Sequence, residues 1–349
     1  MSLRHVEFDL LASVTGRSGV GHSALVDPSP QRVKVGDLVA VRALNDSRSY
    51  GMLETPSGRL ARIKKNSVIC GVLGERRALK GIVGVVPQTL AGGDQLSILN
   101  LGGVIGQRTG VHSSLGTVVD VEVLGAVCGK DGQGLNLSAT ALPKASEMPA
   151  SAPIILVAGT CMNSGKTVAV AEIIREASLS GLKVAGVKLT GVACLRDTLE
   201  MQDNGAFVTV SFLDFGLPST VGREDLEGVA MGAFNYVNSF LPDLIVAELG
   251  DGVMGGYSVE KLLGSSQVMS AVKKIVFCAS DFVGVVGGIV VLKDFGLQPD
   301  IISGSVTDSS MGEVSIRERF GLAAANARND GARLFALASK FEKPEAAVC

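Results

Sequence analysis

The segment from residue 154 to residue 177, IILVAGTCMNSGKTVAVAEIIREA, constrains the fold more than any other part of the chain. An apolar run leads into a glycine, a short loop follows, and Gly165-Lys166-Thr167 opens a stretch with helical spacing. Main-chain N–H groups that converge from such a loop bind a phosphate chain, helped by the positive end of the helix dipole. The order of strand, loop and helix therefore predicts a phosphate-binding loop rather than a helix start with an exposed lysine.

Individual residues of this loop suit a nucleoside triphosphate with Mg²⁺. Lys166 can reach the outer phosphates, and the Thr167 hydroxyl can bind the magnesium ion. Five residues separate Gly159 from Gly165, one more than the four of the common motif. The predicted cofactors are ATP, or another nucleoside triphosphate, and Mg²⁺. The residues that we expect to contact them are Gly159, Thr160, Asn163, Ser164, Gly165, Lys166, Thr167 and Val168.

Apolar runs separated by helical stretches continue from this segment to about residue 310. The runs are continuous rather than alternating, which indicates strands that are buried on both faces. They lie at 154–158, 183–187, 244–248, 274–280 and 300–304. Strands of this kind that alternate with helices are typical of a mostly parallel sheet covered by helices. We therefore predict an α/β domain of the P-loop NTPase class over residues 153–349.

Residues 1–141 have a different pattern, in which short segments rich in Val, Ile and Leu alternate with glycine-containing turns. Turn signals recur about every ten residues, which is typical of a small all-β barrel or sandwich. The segment 142–152 is rich in proline and small residues and indicates a linker. The predicted organisation is a small β-domain, this linker and the P-loop NTPase domain.

Composition excludes several classes of protein. Hydrophobic residues make up 46% of the chain and charged residues 19%, which is enough for two packed cores and excludes a disordered protein. A net charge of −2 and an aromatic content of 4% argue against nucleic-acid binding. No secretion signal or membrane-length apolar run is visible, and the separated cysteines fit a reducing compartment. We expect a cytoplasmic protein without nucleic-acid or membrane partners.

Three segments carry a resemblance to a known family. The spacing Gly-Thr-x-x-x-x-Gly-Lys-Thr in 159–167 resembles the loop of the dethiobiotin synthetase and cobyrinic acid amide synthase group of P-loop proteins. VAGVKLTGVA (184–193) is similar to a dethiobiotin synthetase segment in which a lysine meets the substrate and the transferred phosphate. LIVAELGDGVMGG (244–256) lies where those enzymes have a glutamate that binds Mg²⁺. The resemblance implies catalysis by Lys188 together with Lys166, and a metal ligand at Glu248.

The chain departs from that family in two places. Cys161 and Met162 replace the Asp and Thr with which dethiobiotin synthetases read their substrate and phosphates, so biotin synthesis is not expected. The turn after Glu248 reads Leu-Gly-Asp-Gly instead of the family sequence. Most of the chain also resembles a bacterial family that joins such a loop to an N-terminal β-domain, and this second resemblance implies no reaction.

Polar residues between the strands supply further candidates. Dethiobiotin synthetase has another metal-binding aspartate after its second strand, so the resemblance implies that role for Asp197 or Asp203, unless both belong to a solvated loop. Asp251 competes with Glu248 as a metal ligand. Candidate contacts to the substrate are Thr190, Arg196, Ser219, Thr220 and Asp251.

Two functions are compatible with these residues. Two lysines that stabilise a phosphoryl group in transfer predict an ATP- and Mg²⁺-dependent ligase or kinase that acts on a small carboxylate or carbamate. The alternative is a nucleotide-dependent switch or assembly ATPase, similar to the partition ATPases or the molybdopterin-guanine dinucleotide accessory proteins. A deep pocket beside Lys188 favours the enzyme, and a flat surface favours the switch. The family resemblance also implies a homodimer.

Overall fold

A computed structural model describes residues 3–48, 50–148 and 150–341 of the chain. One residue of the predicted linker and the end of the predicted domain 153–349 lie outside these described residues, as does Cys349. The elements below are numbered in chain order.

The strands are β1 (Arg4–Glu7), β2 (Leu10–Leu11), β3 (Ser23–Asp27), β4 (Gln31–Arg32), β5 (Leu38–Ala43), β6 (Met52–Glu54), β7 (Leu60–Arg62), β8 (Val68–Leu73), β9 (Arg76–Arg77), β10 (Ile82–Val85), β11 (Thr89–Leu90), β12 (Gln95–Ile98), β13 (Val104–Val111), β14 (Asp120–Cys128), β15 (Ile154–Gly159), β16 (Val184–Thr190), β17 (Val208–Ser211), β18 (Leu244–Leu249), β19 (Val272–Cys278), β20 (Ile301–Ser303) and β21 (Ala323–Ala324). The α-helices are α1 (Lys166–Leu179), α2 (Arg196–Asp203), α3 (Leu226–Asn238), α4 (Val259–Leu263), α5 (Ser266–Ala271), α6 (Phe282–Lys293), α7 (Ser310–Phe320) and α8 (Gly331–Ala338). Short 3-10 helices lie at Ser13–Thr15, Ser113–Leu115, Leu137–Thr140, Phe212–Phe215 and Ser305–Thr307.

The N-terminal region forms strands and 3-10 turns within the described part of residues 3–148. Its main sheet has the order β1-β3-β14-β5-β8-β13-β10-β9, with β12 and β2 paired beside this path. Most pairings are antiparallel, whereas β8 pairs in parallel with β13 and with β2. Apolar side chains of β5 and β8 fill its core. These strands fit the predicted all-β character, and a separate domain here stays a prediction.

The C-terminal region contains a seven-stranded sheet of order β17-β16-β18-β15-β19-β20-β21, and all its pairings are parallel. The prediction of an α/β region with a parallel sheet is therefore confirmed. Every residue of β15, β16 and β18 is buried, as their continuous apolar runs predict. The loops that follow these three strands meet at the carboxyl edge of the sheet, where open α/β sheets bind ligands.

The predicted linker segment lies along α3. The Leu142 amide donates a 2.8 Å hydrogen bond to the Asp214 carbonyl, and the Ala145 amide donates one of 3.0 Å to the Gly228 carbonyl. Lys144 forms an ion pair with Asp225, which directly precedes α3. Residues 142–145 of the segment are thus held against the α/β region, and the boundaries of the two domains remain a proposal.

The N-terminal region covers part of the carboxyl edge of the parallel sheet. The Asn100 side-chain amide donates a 2.7 Å hydrogen bond to the Ala193 carbonyl in the loop after β16. The Arg77 amide donates one of 3.0 Å to the Tyr257 hydroxyl, in the segment after β18. A ligand at this edge therefore lies next to residues of both regions. No helix of the described residues is long and apolar enough to cross a membrane.

Candidate functional site

The predicted phosphate loop connects β15 to α1. The Thr160 amide donates a 3.0 Å hydrogen bond to the Cys278 carbonyl of β19, and Asn163 adopts a left-handed conformation with φ 63°. Gly165 has φ 100°, and a Cβ there would lie 2.9 Å from the Gly304 Cα, so glycine is required. The first N–H groups of α1 have no acceptor within the helix. The loop therefore ends at a helix N-terminus that attracts anions.

Lys166 lies under this loop with a buried ammonium group. Its side chain is enclosed, with 5% of the residue exposed, and Nζ donates a 2.8 Å hydrogen bond to the Cys161 carbonyl. A second polar atom, the Ser164 hydroxyl, lies 3.5 Å from Nζ. Burial lowers the pKa of Lys166, and the nearby Glu248 carboxylate opposes that shift. The ammonium group can exchange these neutral acceptors for phosphate oxygens, which pair with it more strongly.

A second lysine faces the loop from β16. Lys188 Nζ lies 2.8 Å from Glu248 Oε1 and 2.7 Å from Asp197 Oδ2. Lys188 and Glu248 are register partners on the neighbouring strands β16 and β18, and Asp197 belongs to the first turn of α2. Burial opposes the charge on Lys188, but the two carboxylates outweigh it and raise the lysine pKa. The Thr167 hydroxyl donates a 3.3 Å hydrogen bond to Glu248 Oε1, which joins the loop to this cluster.

The donor atoms beside Thr167 fit a magnesium ion that also binds phosphate oxygens. Glu248 has 1% of its surface exposed, and its Oε2 has no hydrogen-bond partner among the described residues. A buried carboxylate oxygen without a partner is unfavourable unless a cation or donor reaches it. Mg²⁺ prefers one or two protein oxygens together with phosphates and water. Glu248 and Thr167 match that requirement, although the described residues form no group of three or more His, Cys, Asp or Glu side chains able to hold a metal.

A cavity of about 470 Å³ adjoins the loop and the lysine cluster. Its wall includes Lys166 and Thr167 at the loop, Lys188 and Glu248 at the strand ends, and Arg76 from the N-terminal region. This volume lies in the range of sites for small molecules. The surface beside Lys188 is thus concave rather than flat.

Several other predicted residues line this cavity. They are Asn163, Gly165, Val168, Arg196 and Asp251. Asp251 has a left-handed backbone with φ 64°, and burial raises the pKa of its carboxyl group. Gly159, Thr160 and Ser164 support the loop from behind the cavity wall, and Ser164 is fully buried.

The remaining predicted residues do not line the cavity. Asp203 ends α2 and is exposed, so of the two candidate aspartates Asp197 alone joins the lysine cluster. Thr190 and Thr220 are buried and donate 2.9 Å hydrogen bonds to the carbonyls of Gly250 and Tyr257. The Ser219 hydroxyl accepts a 3.2 Å hydrogen bond from the Val221 amide. These hydroxyls hold the loops behind the site.

The cavity wall also contains residues that the sequence does not single out, among them Arg76, Tyr257 and Arg328. Arg76 lies 90 positions before Lys166 in the chain, and nothing in its local sequence connects it with the loop. Tyr257 directly follows the glycine-rich turn 250–256, and an aromatic residue at that place is a sequence signal that could have pointed to the cavity wall. Arg76 reaches the cavity because the N-terminal region contacts the carboxyl edge of the parallel sheet, whereas Tyr257 belongs to the segment after β18.

Neither a protein-family model nor a curated protein matches the chain. One similar solved structure is the signal recognition particle 54 kDa protein from Aeropyrum pernix K1 in complex with GDP, with 15% identity and a TM-score of 0.38 over 55% of this chain and 48% of that chain. Another is chloroplast FtsY from Physcomitrella patens, with 14% identity and a TM-score of 0.37 over 57% and 70% of the two chains. A third is the signal recognition particle receptor FtsY from Elizabethkingia anophelis in complex with GDP, with 12% identity and a TM-score of 0.38 over 60% and 69%. The chain spans about half the length of the first of these proteins.

Proposed function

We propose that the chain binds a magnesium nucleoside triphosphate at residues 159–168 and transfers the γ-phosphoryl group to a small acid in the adjoining cavity. The observation that carries this proposal is the joint position of Lys166, Thr167, Lys188 and Glu248 at one end of that cavity. Phosphoryl transfer depends on positioning and on positive charge around the transferred group. Two buried lysines and a candidate metal site supply both.

Each residue of the cluster has a defined part in this proposal. The loop amides bind the phosphate chain, and Lys166 leaves the Cys161 carbonyl for the outer phosphates. Thr167 and Glu248 would hold Mg²⁺, which supplies charge neutralisation on the phosphate oxygens. Lys188 stabilises negative charge on the transferred group. Asp197 keeps Lys188 oriented when Glu248 turns toward the metal, so we assign Asp197 as a positioning residue.

The proposed acceptor is a carboxylate or carbamate, as the family resemblance implies. One acceptor oxygen forms a bond to the γ-phosphorus, the bond from that phosphorus to the β–γ bridging oxygen breaks, and the nucleoside diphosphate leaves with the bond electrons. The product is a mixed anhydride. If an amine then attacks the anhydride, an amide and phosphate form, and the protein is a ligase. If the anhydride is released unchanged, the protein is a kinase. We propose ATP as the donor, with GTP tested beside it.

A second candidate function, a nucleotide-dependent switch, is favoured by one specific contact. The Leu195 amide, directly before α2, donates a 2.6 Å hydrogen bond to the Glu54 carboxylate of the N-terminal region. Asp197, two residues further on, pairs with Lys188 in the cavity. A nucleotide that changes the Lys188–Asp197 pair therefore acts on a segment that is bonded to the N-terminal region.

Calorimetry with the full chain tests nucleotide binding. We expect heat of binding with magnesium ATP or GTP, and we expect Lys166→Ala to weaken that binding by about 10- to 100-fold, the effect of a hydrogen bond to a charged group. The matched control is Lys273→Ala, which removes an exposed lysine of the same region. Absence of binding with both nucleotides would refute the proposal.

Product measurements then separate the two functions. Release of nucleoside diphosphate that rises with an added small carboxylic acid supports the enzyme. A nucleotide-dependent change in oligomeric state or partner affinity, with no response to any acid, supports the switch.

A further inference from the structure

Arg76 places a buried positive charge in the wall of the cavity from the N-terminal side. It belongs to the short strand β9 and has 5% of its surface exposed. Its Nη1 donates a 2.5 Å hydrogen bond to the Tyr50 hydroxyl and another hydrogen bond to the Leu99 carbonyl. The guanidinium carbon lies 5.6 Å from the centroid of the Tyr50 ring. These contacts orient the side chain through neutral acceptors and an aromatic ring.

Arg76 interacts electrostatically with the Asp251 carboxyl group but forms no close ion pair among the described residues. Its Nε has no hydrogen-bond partner among those residues. Gly81 packs closely against the guanidinium, because a Cβ at this position would lie 2.9 Å from Nη2. A buried charge is unfavourable unless it is paired, and a guanidinium pairs best with a carboxylate or a phosphate. The arrangement therefore fits an anion that enters from the cavity.

The surroundings of Arg76 differ from those of the phosphate loop. Tyr257 and Asp251, which follow β18, line the cavity with Arg76. Burial raises the pKa of the Tyr257 hydroxyl to about 12, and the Arg76 charge acts against that rise. The charges of Lys166 and, to a smaller extent, Arg76 oppose the burial that raises the pKa of the Asp251 carboxyl group. Arg76 and Lys166 therefore act on adjoining parts of one cavity, and both interact with Asp251.

We propose that Arg76 binds an anionic group, a carboxylate or a phosphate, of a second small ligand that occupies the cavity beside the nucleotide. The inference rests on the proposed function, since it assigns to the N-terminal region the recognition of the phosphoryl acceptor. The residue acts in binding, through the positive charge of its guanidinium. The positive charge of Arg76 also reduces the repulsion between a negatively charged acid and the phosphates of the nucleotide.

Binding of anionic probes to the full chain tests the inference without a known acceptor. The probes are succinate, malonate and inorganic phosphate, each titrated calorimetrically with and without magnesium ADP. We expect at least one probe to bind the unchanged protein and to bind Arg76→Gln about 10- to 100-fold more weakly, because a charge-assisted hydrogen bond is lost. Arg77→Gln is the matched control, since it removes the same charge from an exposed neighbouring residue. Binding of succinate or malonate indicates a carboxylate site, and binding of inorganic phosphate indicates a phosphate site.

The nucleotide measurements keep this test separate from the proposed function. We expect Arg76→Gln to bind magnesium ATP with unchanged affinity, and we expect Lys166→Ala to keep the anion site after losing the nucleotide. Loss of nucleotide binding in a folded Arg76→Gln protein would show that Arg76 serves the phosphate chain, and would overturn the inference. Failure of all three probes to bind the unchanged protein would overturn it as well. Should Arg76→Gln not fold, Arg76→Lys retains the charge and must weaken binding of the same probe.

Discussion

The Leu195 amide and the Glu54 carboxylate are joined by a 2.6 Å hydrogen bond that crosses from the α/β region to the N-terminal region. Glu54 is buried, and the Ser13 hydroxyl donates a second hydrogen bond to the same carboxylate oxygen. Leu195 directly precedes α2, whose first turn contains Asp197. The contact therefore ties the N-terminal region to the helix that helps to hold Lys188.

Substitution of Glu54 by glutamine tests this connection. We expect nucleotide binding to slow amide exchange around residues 50–55 of the unchanged protein, and we expect Glu54→Gln to abolish that protection. The reason is that the neutral amide loses the charge-assisted bond to the Leu195 amide. Hydrogen–deuterium exchange with and without magnesium ATP measures the effect, and Glu7→Gln, at an exposed strand position, is the control. Equal protection in Glu54→Gln and in the unchanged protein would rule out the connection.

Replacement of Lys188 by methionine is expected to destabilise the fold and to remove turnover. It leaves the buried carboxylate of Glu248 and the half-buried carboxylate of Asp197 without their cation, a change that costs about 3–5 kcal/mol of unfolding free energy. Urea unfolding measures the loss, and activity assays measure turnover in the same preparation. We expect nucleotide binding to persist, because Lys166 and the loop amides remain.

A companion variant checks the cause. Asp197→Asn with Glu248→Gln in the Lys188→Met background removes both negative charges, and it should recover most of the lost stability without restoring turnover. A Lys188→Met protein as stable as the original would contradict the ion-pair account.

Two glycine substitutions separate backbone strain from crowding in the phosphate loop. Gly165 and Gly181 both have positive φ, at 100° and 83°, but a Cβ at Gly181 meets no atom within 4 Å. Gly181→Ala is therefore expected to lower the unfolding free energy by about 1 kcal/mol through strain alone. Gly165→Ala must also push against the Gly304 Cα, so it should lower stability further and weaken nucleotide binding. Urea unfolding and calorimetry measure both; equal effects at the two positions would argue against a crowded loop.

The acid stability of the chain should depend on Asp225. Burial acts to raise the pKa of this carboxyl group, but hydrogen bonds from Arg223 and Lys144 lower it from 3.8 to about 2. The folded chain thus binds fewer protons at this site than the unfolded chain between those values, so its stability increases with pH there. The contribution is complete above pH 3.8 and disappears as the pH falls through about 2.

The corresponding test is Asp225→Asn, which removes this pH-dependent contribution. Between pH 4 and pH 2, we expect the unfolding midpoint of the variant to fall less steeply than that of the unchanged protein. Urea unfolding at several pH values measures it. Asp294→Asn, at an exposed aspartate after α6, is the control. Identical slopes for Asp225→Asn and the unchanged protein would exclude a role of the ion pairs of Asp225 with Arg223 and Lys144 in acid stability.

The parallel sheet was predictable from local sequence because its inner strands are buried on both faces. Strands β15 and β18 coincide with continuous apolar runs, and the loop between β15 and α1 carries a recognisable order of small and polar residues. The outer strands β17 and β21 were not predicted, since they have four and two residues and no distinct pattern. Short edge strands are defined by pairing with the sheet rather than by their own sequence.

The site was predictable only where a side chain belongs to a local motif. Lys188 and Glu248 end apolar strands, so their proximity follows from the parallel register. Asp197 and Asp203 lie on one short helix, and sequence alone does not say which end of that helix faces the cavity. The position of Arg76 depends on how the N-terminal region packs on the sheet, which is a tertiary property without a local signature.

The cavity wall is shared between distant parts of the chain, with the phosphate loop on one side and Arg76 on the other. If Arg76 selects the second ligand, the residues that bind the nucleotide and the residue that selects the acceptor lie in separate parts of the polypeptide. Substitutions around residues 50–100 can then redirect the protein to another acid while its nucleotide chemistry stays intact. We therefore expect substitutions that change acceptor specificity to lie in the N-terminal strands rather than in the phosphate loop.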